Sequence, residues 1–132
     1  MAWWNIVFDK ITQGQILQTP GRGLDGGSKK KDFLIYEKRV DKINVISGAT
    51  KVPLIPECFN SIEIFFQNHP GGYLRVAALH DNEAFENSAD KLIREATGSQ
   101  LARSNYVCSI LVYCHLPSYA MQGNRKVVVL PQ

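Results

Sequence analysis

The sequence predicts an α+β fold: a mostly antiparallel sheet of about five strands with helices packed on one face. Three observations carry that expectation. Apolar residues recur at period 3.6 in four segments, strand-like runs cluster between residues 33 and 55, and helix signals dominate after them. The 132 residues, 45% of them AVILMFWYC, are enough for one domain with its own core, read as residues 1–132.

Trp4, Val7, Phe8 and Ile11 fall at i, i+3, i+4 and i+7, the stripe of a short amphipathic helix that Gly14 can stop. Residues 15–18 read as a short strand. The next segment, from Thr19 to Ser28, holds four glycines and a proline and predicts a loop. Runs at 33–36, 42–46 and 51–55 then predict three strands close enough for an antiparallel meander, with Gly48 in the second turn. Pro53 cannot donate to a ladder, so the third of these strands belongs at an edge.

Pro56 suits the first turn of a helix whose buried face is Phe59, Ile62, Phe65 and Phe66, ended by the His69–Gly72 segment. Residues 73–79 predict a strand. Asn87 or Ser88 caps a helix with Ala89, Leu92, Ile93 and Ala96 inward, and Gly98 closes it. Ser99 or Ser104 opens a last helix, stopped by Pro117. Its two stripes, Val107, Ile110, Leu111 and Cys114 beside Leu101, Cys108 and Val112, predict burial on most sides. Residues 126–130 predict a closing strand.

Charge is distributed unevenly. Fifteen Lys+Arg against 12 Asp+Glu leave +3 overall; residues 1–31 carry +3, residues 79–95 carry −3, and Arg103, Arg125 and Lys126 follow with no acid. Opposed basic and acidic regions can steer a partner. No apolar run reaches the ~18–20 residues of a membrane span, so no membrane partner is expected. The first residues lack the pattern of a signal peptide. Three cysteines, an odd number, argue against a disulfide framework and predict a cytoplasmic setting.

Chemistry is sparse. Cys58, Cys108, Cys114, His69, His80 and His115 include no pair at the two-to-four-residue spacing of a zinc site, so no metal or other cofactor is expected. The cysteines sit on apolar helix stripes, where a thiol packs rather than reacts. No G-x-S-x-G elbow occurs, and no catalytic residue is assigned. The densest polar cluster, His80 to Glu83, leaves a minor hydrolase reading through His80 and Glu83. Helices flanking Gly98 do not fit a helix-turn-helix, because Arg94 stands where a small residue packs and Ser104 where an apolar one does.

The glycine-rich loop leads into a strand, so it lacks the helix N-terminus that a Rossmann or P-loop phosphate site requires. What it offers is charge. Arg22, Lys29, Lys30 and Lys31, joined by Arg103, Arg125 and Lys126, suit a nucleic-acid backbone or another polyanion. The function expected is therefore a non-catalytic binding module for DNA or RNA. The alternative is a homo-oligomer with an apolar, aromatic-lined small-molecule pocket near Trp3, Trp4 and Tyr106; adjacent tryptophans cannot both enter one core, which leaves one for an interface.

Residues 14–23, Gly-Gln-Ile-Leu-Gln-Thr-Pro-Gly-Arg-Gly, and residues 99–106, Ser-Gln-Leu-Ala-Arg-Ser-Asn-Tyr, carry one further indication. In these segments the chain resembles small α+β proteins of unknown function encoded on mobile DNA, such as integron gene cassettes. It is also distantly similar to accessory domains found beside restriction nucleases. That resemblance implies a bacterial cytoplasmic protein without a defined reaction and strengthens nucleic acid as the partner.

Overall fold

In the computed structural model, residues 2–21, 30–76, 88–123 and 125–131 are described. The first helix, α1 (Ala2–Lys10), buries Val7, and Ile11 follows fully buried. Its two tryptophans both lean on the second helix, α2 (Pro56–Asn68): Trp3 lies 6.2 Å from the Phe66 ring and Trp4 5.6 Å from Phe59. The ends of α1 are satisfied from elsewhere in the chain. The buried Glu63 carboxylate accepts from Trp3 N at 3.1 Å, and Lys38 Nζ donates to the carbonyls of Phe8 and Ile11 at 2.8 and 3.1 Å. An anion at the N-terminus and a cation at the C-terminus match the helix dipole.

Gly14, at φ +94°, turns the chain into β1 (Ile16–Gln18). β1 pairs antiparallel with β2 (Asp32–Arg39), β2 with β3 (Lys42–Ser47), and β3 with β4 (Thr50–Leu54). The order is β1-β2-β3-β4, the expected meander extended by one strand. Gly48, at φ +60°, makes the β3–β4 return. Ile35, Val45 and Val52 lie in register across the sheet and are buried, as are Ile43 and Leu54 beside them. Burying each such side chain contributes roughly 1.5–3 kcal/mol. Pro53 stands opposite Asn44 on the edge strand, where its missing N–H costs no ladder bond.

The remaining strands form a second sheet: β5 (Tyr73–Arg75), β6 (Ser118–Gln122) and β7 (Arg125–Val129), in the order β5-β7-β6, all antiparallel. One sheet of about five strands is thus corrected to two sheets of four and three. Pro53 blunts the free edge of β4, and β7 takes its partners from β5 and from β6, a strand that the residue pattern of 118–122 does not announce. The part of the expected 73–79 strand beyond Val76 lies outside the described residues, as does most of the glycine-rich loop.

The third helix, α3 (Ala89–Thr97), begins with Ser88 accepting from Lys91 N at 3.0 Å and ends at Gly98 in the left-handed region, as the caps predict. Ala89 and Ile93 are buried, but Ala96 is exposed. Asp90 and Arg94 take its place inward, joined at 3.0 Å with the Arg94 guanidinium also donating to Gln100. The pair meets at i, i+4 through Asp90 Oδ1, while Asp90 Oδ2 is buried with no hydrogen-bond partner among the described residues. The fourth helix, α4 (Ser104–Tyr113), buries Val107, Cys108, Ser109, Ile110 and Leu111, the wide arc expected of it. It ends before Pro117, at Tyr113, and His115 follows at φ +60°. Leu101 lies outside it and is exposed. The fold class among the described residues is α+β, with four helices and two antiparallel sheets. No helix among them is long and apolar enough to cross a membrane.

Candidate functional site

A cleft of about 240 Å³ opens where α4 meets the base of the β1–β2 connection and the β6–β7 hairpin. Leu17, Val112, Tyr113 and Tyr119 give it apolar and aromatic walls; Thr19, Ser109, Lys30 and Lys126 add hydroxyls and ammonium groups. None of the described residues lining it is acidic.

Each wall is fixed by hydrogen bonds across long stretches of sequence. Ser109 Oγ donates to Gln18 O at 2.6 Å, tying α4 to the edge strand β1. Thr19 N donates to Lys31 O at 2.8 Å and Lys31 N to Thr19 Oγ1 at 2.9 Å, so the base of the connection continues the β1–β2 ladder for one more pair. Lys126 Nζ donates to Pro20 O at 2.6 Å and sits 4.9 Å above the Tyr119 ring, which straps the connection to β7. The Tyr119 hydroxyl is buried near Ser109 and makes no hydrogen bond of good geometry, Ser109 having given its proton to Gln18. Burial holds that phenol protonated far above the usual tyrosine range.

The seven basic residues proposed from sequence divide into three groups. Arg22 and Lys29 lie outside the described residues. Lys30 and Lys31 are exposed at the base of the connection, Lys30 lining the cleft, and Arg125 is exposed on β7 next to Lys126. Arg103 and Lys126 are buried. Arg103 Nη1 donates to Pro53 O at 3.1 Å and lies 3.6 Å from Cys58 Sγ; it does not line the cleft. The cleft therefore brings Lys30 and Lys126 together and leaves Arg103 elsewhere.

Trp3, Trp4 and Tyr106 do not line the cleft either. The tryptophans pack on α2, and Tyr106 meets the Phe33 ring edge-on at 5.2 Å. His80 and Glu83 lie outside the described residues. No group of three His, Cys, Asp or Glu that could hold a metal occurs among the described residues. All three cysteines are buried thiols; burial pushes Cys108 up to about 12 and Cys114 up to about 11, Lys10 opposing the latter.

Sequence reasoning missed Ser109, Val112 and Tyr119 as cleft walls. Ser109 carried a weak signal, a hydroxyl inside an otherwise apolar helix arc. Tyr119 carried none, because its strand was not anticipated. Compared with protein families, curated proteins and solved structures, the chain matches none of them.

Proposed function

We propose that this protein is a non-catalytic binding module that contacts the phosphate backbone of DNA or RNA along the rim of the cleft. The single observation supporting this is a group of lysines at one place, with the neighbouring carboxylate, Asp32, engaged by Gln18. Lys30, Lys31 and Lys126 gather at the base of the β1–β2 connection, and no carboxylate among the described residues lines the cleft they border. Phosphate backbones select for charge more than for shape, and lysines on an exposed connection provide it. Lys126 contributes its field and the strap to Pro20, while Lys30 and Lys31 make the direct contacts; Arg125 extends the same rim along β7. Arg103 is left out of this surface, its guanidinium being held inside by Pro53 O.

Fluorescence anisotropy with labelled mixed-sequence oligonucleotides, at low and rising salt, tests the reading. Binding that weakens steeply with salt is expected, each phosphate contact contributing roughly 0.7–0.9 to the logarithmic salt slope. Absence of binding to any DNA or RNA at low salt ends it. The largely apolar walls of the same cleft favour a second reading, a small apolar molecule held there with Tyr113 and Tyr119 against it. A thermal shift on ligand screening, without oligonucleotide binding, would support that reading over the first.

A further inference from the structure

We propose that the cleft takes one unstacked nucleobase, so that the protein binds single-stranded nucleic acid in preference to duplex. This rests on the backbone-binding reading above and adds a second kind of contact to it. The exposed lysines explain affinity for any phosphate backbone and do not distinguish one strand from two. The cleft does. Its walls are Leu17, Val112 and the rings of Tyr113 and Tyr119, directly beside Lys30 on the rim. A base presents two apolar faces and a polar edge, and aromatic side chains stack on such faces whatever the base. In a duplex both faces are already covered by neighbouring pairs, so only a splayed-out base can enter. A volume of about 240 Å³ accommodates one heterocycle. Tyr113, 46% exposed at the end of α4, lines the cleft and leaves ring surface open to a ligand.

The polar groups in the cleft imply weak base discrimination. Ser109 has its proton on Gln18 O, so it offers a ligand an acceptor only. The Gln18 amide commits one of its two N–H groups to Asp32 Oδ1 at 3.0 Å, which pins its orientation at the rim. Stacking, not edge recognition, sets the affinity of this pocket.

The experiment compares single-stranded and duplex oligonucleotides of one length and sequence, with a mononucleotide as a third ligand, on the wild-type chain, Tyr113→Ala and Lys30→Ala. The wild type is expected to hold the single strand at least tenfold more tightly than the duplex. Tyr113→Ala is expected to lower single-strand affinity by about tenfold or more and to leave duplex affinity unchanged, whereas Lys30→Ala lowers both. Circular dichroism and thermal melting establish that each variant is folded, and Val112→Ala serves as a second wall variant if Tyr113→Ala is not. Equal affinity for strand and duplex, or a Tyr113→Ala loss shared equally by both, overturns the inference while leaving backbone binding intact. A mononucleotide bound as tightly as the strand overturns it too, in favour of a nucleotide pocket. No binding of any of the three removes the backbone reading and this one with it.

Discussion

Arg103 and Lys126 are each 7% exposed and donate to the backbone carbonyls of Pro53 and Pro20, and Arg94, at 8%, pairs with Asp90 one turn earlier on α3. Lys30 and Lys31, by contrast, are exposed at the base of the β1–β2 connection, with no acidic partner among the described residues. Both sets read alike in the sequence as surface charge. The difference lies in what surrounds them: a cation brought inside loses water and takes its partners from the chain, so Arg103 and Lys126 become ties between segments, whereas a solvated cation remains available to a ligand. The interior set holds segments together and the exterior set stays in solvent.

The comparison breaks first, if it breaks, at the buried ion pair. Asp90→Ala leaves the Arg94 guanidinium inside without its carboxylate and is expected to cost about 3–5 kcal/mol of stability; urea denaturation reads it. Arg103→Met and Lys126→Met each remove the donor from a carbonyl, Pro53 O or Pro20 O, and are expected to cost about 2 kcal/mol. A Lys126→Met variant as stable as wild type would return that lysine to the ligand-binding set.

The same burial acts on the thiols, with a sign that can be checked. Cys108 and Cys114 are raised to about 12 and about 11 by burial in the folded chain, against roughly 8.5 when unfolded. The folded state thus keeps protons that the unfolded state releases. The stability tied to these groups is complete below about pH 8.5 and falls by about 1.4 kcal/mol per pH unit for each thiol as pH rises toward its folded value. Denaturation midpoints measured from pH 7 to pH 10 should decline, less so in a Cys108→Ala background. A flat profile would mean the thiols are less enclosed than the cations beside which they are compared.

The smallest effect on stability is expected on the outside. Lys30→Ala with Lys31→Ala should leave the denaturation midpoint within about 0.5 kcal/mol of wild type. The same double variant should lower the logarithmic salt slope of oligonucleotide binding by about 1.4–1.8. Loss of stability without loss of binding would reverse the two roles.

Legibility follows the range of the interactions involved. The β2–β3–β4 meander could be read because its turns are short and its partners are neighbours; Gly48 and Pro53 alone locate a return and an edge. The cap of α3 was legible for the same reason, Ser88 and Lys91 being three residues apart. β6 was not: Ser118–Gln122 lacks an alternation of apolar residues and exists as a strand because β7 lies beside it. The cleft joins residues as far apart as Gln18 and Ser109, or Pro20 and Lys126, and no local pattern records such a meeting.

Helices and meander follow from local pattern, since helical stripes, caps and tight turns are encoded within a few residues of one another. Only the tertiary structure decided that the strands divide into two sheets, that Arg103 and Lys126 turn inward while Lys30 and Lys31 stay out, and that α4, β1 and β6 enclose a common cleft. Those outcomes depend on which distant groups compete for the same carbonyl, edge or face. That competition is settled by the packing of the whole chain and leaves no period or spacing behind it.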